Sequence, residues 1–76
     1  MVRAFIMVKT AAGKSATLQE RIAEMSAIES AHVVAGKYDI IAEAVGEEVY
    51  EVINTVASDV HELDGVVDTR TYICLE

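Results

Sequence analysis

The sequence predicts one small α+β domain in which four strands form an antiparallel sheet and two helices cover one of its faces. Three observations predict it. Apolar residues switch between a strand period and a helical period in the order βαββαβ, and the two middle strand patterns are separated only by a short glycine-containing break. The chain has 76 residues and no proline, which leaves room for a single core.

Residues Val2 to Thr10 form a short run rich in β-branched and aromatic side chains, closed by Ala11-Ala12-Gly13, and read as the first strand. From Ser15 to Ser26, Leu18, Ile22 and Met25 recur at helical spacing, and Ser15 and Thr17 both suit its start, Thr17 with Glu20 three residues on. Residues Ile28 to Lys37 alternate loosely. A second apolar run from Tyr38 to Val45 follows Gly36-Lys37, so the pair reads as a hairpin with Gly36 free to take positive φ. Val49, Ile53, Val56, Val60 and Leu63 then mark the second helix, with Glu47, Glu48 and Glu51 near its first turn and Gly65 placed for a left-handed cap. Val66 to Leu75 closes the chain as the last strand.

Two βαβ units with right-handed crossovers, joined through the hairpin, give the ferredoxin-like sandwich. In the first strand Phe5 and Met7 oppose Ala4, Ile6 and Val8, and in the third Ile41 and Val45 oppose Ile40, Ala42 and Ala44. Both faces read as apolar. The face without helices is therefore expected to be covered by a second copy, making the molecule dimeric through its sheets.

Composition narrows the function. Apolar residues make up 53% of the chain, which excludes disorder. Thirteen Asp and Glu against six Lys and Arg give a net charge of −7, which speaks against direct contact with nucleic acid or an anionic membrane and suits a halophile or ordinary solubility alike. The single Cys74 cannot form an intramolecular disulfide, and with two histidines it cannot complete a four-ligand zinc site, so no metal or cofactor is expected. The apolar run from Ala4 to Val8 is too short for a signal core or a membrane span, and the expected setting is cytoplasmic.

Two motifs carry a resemblance. His32-Val33-Val34-Ala35-Gly36-Lys37-Tyr38-Asp39-Ile40-Ile41 resembles the G-x-Tyr-Asp hairpin of the ligand-sensing domain of Lrp/AsnC transcription regulators, often called the RAM domain. Asp64-Gly65-Val66-Val67-Asp68-Thr69-Arg70-Thr71-Tyr72-Ile73 looks like that family's closing segment, G-V-x-x-T-x-T. The resemblance covers Val2 to Glu76. It implies one ligand-binding domain over residues 1–76, acting in transcriptional regulation of amino acid metabolism. Regulators of that family carry a helix-turn-helix ahead of this domain; here the first strand starts at residue 2, so a stand-alone sensing domain without a DNA-binding domain is expected.

Physically, Gly36-Lys37-Tyr38-Asp39 sets a permissive backbone, a cation, an aromatic hydroxyl and a carboxylate within four residues. An amino acid needs such a set: its ammonium can pair with Asp39, its carboxylate with backbone N–H groups, and its side chain can rest on Tyr38. By resemblance the effector binds between dimers, with the closing strand contributing Thr69, Thr71 and Tyr72. The ligand-binding candidates are thus Gly36, Tyr38, Asp39, Thr69, Thr71 and Tyr72. The plainer reading is that Asp39 bonds turn N–H groups, the threonines are ordinary strand formers and Tyr72 packs in an interface.

Structural roles are expected for His32, in a strand, and His61, near a helix end, while Cys74 lacks a basic partner and is expected to be unreactive. Arg3, Glu43 and Arg70 should share the sheet and suit an ion pair across it or across a dimer interface. The expected function is a non-enzymatic sensor of a free amino acid that shifts its own assembly, as a homodimer or a ring of four dimers, or that of full-length Lrp/AsnC regulators. The alternatives are a small dimeric ferredoxin-like enzyme of the cofactor-free monooxygenase type and a pure assembly partner of full-length regulators.

Overall fold

The computed structural model describes residues 1–75, the side chain of Thr55 apart; Glu76, the end of the expected 1–76 domain, lies outside the described residues. The elements are β1 (Val2–Thr10), α1 (Ser15–Ala23), β2 (Ile28–Val33), β3 (Ile40–Gly46), a second helical run, and β4 (Val66–Ile73). That run comprises α2 (Val49–Glu51), a π-helical stretch Val52–Ala57 and α3 (Ser58–His61). The sheet is antiparallel with strand order β2-β3-β1-β4, the ferredoxin-like arrangement.

Alternation in the two central strands builds the core. Ala4, Ile6 and Val8 of β1 and Ile40, Ala42 and Ala44 of β3 are fully buried against Leu18 and Ile22 of α1 and against Val52, Val56 and Val60, with Ile28 and Ala31 of β2 joining them. Both helical segments therefore lie on the same face. Three alanines in the central strands keep that face shallow and let the helices approach. Gln19 Nε2 donates to the Ala31 carbonyl at 2.7 Å and ties α1 to the edge strand.

The second helical run departs from the expected stripe. Val49 and Ile53 are each 45% exposed, and Val52 is fully buried in their place. The buried residues 52, 56 and 60 recur every four positions, and over four residues an α-helix rotates about 40° past one turn. The wider i→i+5 winding of the π-helical stretch takes more residues per turn and keeps that row facing the sheet. Gly46 makes room for it: a Cβ there would lie 2.9 Å from Val52 Cγ2 and from Glu51 Oε1.

Local chemistry differs from expectation at several ends. The N-cap position of α1 is Lys14, without a side-chain cap, so neither Ser15 nor Thr17 caps it, and the helix stops at Ala23, before Ser26. The connection between β2 and β3 is the loop 34–39 rather than a tight turn, and Gly36 does not take positive φ; Gly13 (φ 78°) and Gly65 (φ 98°) do. β4 ends at Ile73, and the Cys74 N–H donates to the Arg3 carbonyl at 2.9 Å just beyond it.

The helix-free face is less apolar than the central strands alone imply. Phe5, Met7, Ile41 and Val45 lie on it, but the register adds Ser30 and His32 from β2 and Asp68, Arg70 and Tyr72 from β4. Arg3 bridges Glu29 at 2.9 Å and also pairs with Glu43 at one end of this face. Arg70 does not join them, because it stands opposite Met7, on the far side of β1 from β3, while Glu43 stands opposite Phe5.

Two glycines should respond differently to the same substitution. Gly65→Ala should lower unfolding free energy by about 1–2 kcal/mol, since φ is positive and the new Cβ meets Leu18 Cδ1 at 3.2 Å. Gly36→Ala should stay within about 0.5 kcal/mol of the parent, as nothing lies within 4 Å of its Cβ. Urea unfolding of the two variants checks both.

Candidate functional site

The loop 34–39 is fastened to the end of β1 by one residue. The Asp39 N–H donates to the Val8 carbonyl at 2.9 Å, and the Asp39 carbonyl accepts the Val34 N–H at 2.8 Å. Its carboxylate Oδ2 accepts the Thr10 N–H at 2.8 Å and lies 3.3 Å from Thr10 Oγ1. Lys9 adds a longer bond, its ammonium donating to the Lys37 carbonyl at 3.4 Å. The loop thus continues the β1–β3 ladder past the N-terminal end of β3 by one backbone and one side-chain bond to β1, which holds Lys37 and Tyr38 beside the start of β4.

β4 enters this region through an irregularity. Lys9 stands opposite Asp68 but Thr10 stands opposite Val66, so Val67 is the extra residue of a bulge. From there the period of two takes over. Asp68, Arg70 and Tyr72 lie on the helix-free face, and Thr69 and Thr71, opposite Val8 and Ile6, lie on the helix side.

A concavity of about 320 Å³ results, lined by Lys9, Lys37, Tyr38, Asp68, Arg70 and Tyr72. Of the six candidate residues it brings together Tyr38 and Tyr72. Gly36 is exposed in the adjoining loop, and the Asp39 carboxylate is engaged by Thr10. Thr69 and Thr71 are on the opposite face, Thr69 Oγ1 lying 3.2 Å from Nδ1 of His61 at the end of α3. Lys9, Lys37, Asp68 and Arg70 are not among the six candidates, although Lys37 stands within the Gly36-Lys37-Tyr38-Asp39 set. The signal for two of them was present in the spacing 68, 70, 72, which puts all three on Tyr72's face; Lys9 needed the register with β4.

The electrostatics are local and unlike the molecule as a whole. Three of the six Lys and Arg residues of a −7 chain line this one concavity, against the single carboxylate of Asp68. Among the described residues the salt bridges within 4.0 Å belong to Arg3, so Lys9, Lys37 and Arg70 are not neutralised by carboxylates of the same chain. Such a surface could hold an anion, and the two phenols supply hydroxyl donors and flat walls. Among the described residues no group of three or more His, Cys, Asp or Glu is placed to hold a metal, and no helix is long and apolar enough to cross a membrane.

The model of the Lrp/AsnC ligand binding domain matches residues 3–76. The chain belongs to that family. Solved structures share the fold. TTHA0845 from Thermus thermophilus superposes with a TM-score of 0.91 at 28% identity, covering 100% of this chain and 95% of that one. The hypothetical protein PHS023 from Pyrococcus horikoshii gives 0.89 at 29% identity, covering 100% and 92%. The fold also recurs in the transcriptional regulator NMB0573 of Neisseria meningitidis, solved as an L-Met complex, with a TM-score of 0.70 at 21% identity; this chain is 99% covered and spans 50% of that regulator. No curated protein matched the chain.

The two uses of Asp39 make different predictions. As the clip between the loop and β1, Asp39→Ala should lower stability by about 1.5–3 kcal/mol, the range for a charge-assisted hydrogen bond, and should speed amide exchange at Thr10. A purely ligand-facing carboxylate would leave urea unfolding and the Thr10 amide unchanged.

Proposed function

We propose that the chain is a non-enzymatic amino-acid-sensing and assembly domain that takes part in transcriptional regulation of amino acid metabolism. In this reading the helix-free faces of two copies pair, and a free amino acid in the concavity biases the assembly of the chain. That assembly is a homodimer, its growth into a ring of four dimers, or association with full-length Lrp/AsnC regulators.

One observation carries the reading. Asp68, Arg70 and Tyr72, which line the concavity, share a sheet face with Phe5, Met7 and Ile41. A group bound there sits on the rim of the surface a second copy would cover, so occupancy and coverage are thermodynamically coupled. Membership of the ligand-binding family supports a small-molecule role, and the Neisseria regulator, solved as an L-Met complex, supports an amino acid. Phe5 at 37% exposed and Tyr72 at 58% exposed are large side chains left partly in water by a single copy, which supports the pairing.

Ligand and assembly are tested together by melting the chain with each of the common amino acids at millimolar concentration while measuring particle size by light scattering at two protein concentrations. A ligand at a hundred times its dissociation constant stabilises by about 2.7 kcal/mol, which for a domain of this size raises the melting temperature by roughly 10 °C or more. The reading fails if no amino acid changes either melting temperature or size. A size that grows with protein concentration but ignores every amino acid would make the chain a pure assembly partner.

The face itself has a separate test. Phe5→Asp places a charge at the middle of the face without touching the buried side of β1. It should reduce the light-scattering mass to that of one chain while leaving far-UV circular dichroism unchanged.

A further inference from the structure

We infer that the concavity is built for an acidic amino acid, glutamate or aspartate; the inference rests on the reading of this concavity as the effector site and names the ligand class within it. A count of charges on fixed positions carries it. The lining holds three cations, Lys9, Lys37 and Arg70, and one carboxylate, Asp68. An acidic amino acid at neutral pH, with two carboxylates and one ammonium, comes nearest the complement and lowers the net charge of the lining from +2 to +1. A neutral amino acid has one carboxylate for the three cations, and a basic one adds a cation where cations already prevail.

The clustering itself needs a cause. A chain with thirteen Asp and Glu lowers its electrostatic free energy by spreading its six cations among them, as Arg3 does with Glu29 and Glu43. Lys9, Lys37 and Arg70 instead converge on one hollow, and among the described residues none of them lies within 4.0 Å of a carboxylate oxygen. Their like-charge repulsion is relieved when an anion of more than one charge is seated between them.

Geometry assigns the parts. Arg70 projects from a paired strand, so its guanidinium fork is presented by a rigid base and suits bidentate binding of one carboxylate. Lys9 and Lys37 stand on the other wall, joined through the 3.4 Å bond from the Lys9 ammonium to the Lys37 carbonyl, and serve the second carboxylate. Asp68 is opposite Lys9 in the register and faces the same hollow, where it takes the ammonium. Tyr38 and Tyr72 wall the methylene portion. About 320 Å³ is at the small end of ligand sites and matches a ligand of this size better than a nucleotide.

The experiment is isothermal titration of the full chain with glutamate, aspartate, glutamine, asparagine, methionine, lysine and glutarate, repeated with Arg70→Gln and Asp68→Asn. Glutamate or aspartate should bind at least tenfold more tightly than its amide and than glutarate. Arg70→Gln should lose at least tenfold of that affinity, and Asp68→Asn should bring glutamate and glutarate closer together, with the unliganded melting temperatures of both variants near the parent's. Tighter binding of a neutral or basic amino acid overturns the acidic assignment while the sensing reading stands. Glutarate binding as tightly as glutamate overturns the role of Asp68 and with it the assignment. Acidic binding that ignores Arg70→Gln overturns the location. No binding by any compound overturns the assignment, and the melting scan over the remaining common amino acids then decides the sensing reading separately.

Discussion

The register between β1 and β3 is the constraint on which the rest of the molecule depends. With a side-chain period of two, a slip of one residue would exchange Ala4, Ile6 and Val8 for Phe5, Met7 and Lys9 on the helix side. The helices could not then dock, because the close approach of α1 and the second helical run relies on alanines at 4, 42 and 44. The register is held at both ends. At one, Asp39 binds the backbone of Val8 and Thr10. At the other, Val2 stands opposite Gly46, whose missing side chain admits Val52. A fold with so few residues has little redundancy, and each end of the central ladder is fixed by one residue of particular chemistry.

The same register decides what the helix-free face can do. Because β4 pairs with β1, the bulge at Val67 sets which β4 residues join Lys9 on that face. A regular ladder that paired Val67 with Lys9 would bring Thr69 and Thr71 to the face and turn Asp68, Arg70 and Tyr72 towards the helices. The concavity is therefore a property of pairing rather than of any local motif. The loop 34–39 contributes its cation and its tyrosine only because Asp39 is used as a fastening, so the residue that most resembles a ligand group is also the one that positions its neighbours.

This explains which parts were legible in the sequence. The bounds of β1 and the opposite facing of Ala4, Ile6, Val8 and of Phe5, Met7 follow from a local period that every paired strand must obey. The second helical run misled because a count of apolar spacings assumes 3.6 residues per turn, and the π-helical winding shifts the buried row from Val49 and Ile53 to Val52. For the site, Tyr38 and Tyr72 were readable as candidates and meet at the concavity. Lys9 was not, since nothing in the local sequence says that it stands opposite Asp68. Arg70 is conspicuous for its charge, but only strand order and register show that β1 separates it from Glu43 within one chain.

The low dielectric that a second copy would create is what could make so exposed a cluster selective. A single exposed ion pair contributes only about 0–1 kcal/mol, because water screens it. The same pair covered by an apolar face is worth several times more if every charge is matched, and is costly if any is left over. On the proposed reading, an unliganded pairing would bury part of the net +2 of the three cations and Asp68, and an acidic amino acid would lower it to +1. Preference for the covered state then needs no movement of the backbone. It follows from the difference between the same charges in water and under a partner, and by reciprocity the pairing must tighten the ligand by the same factor.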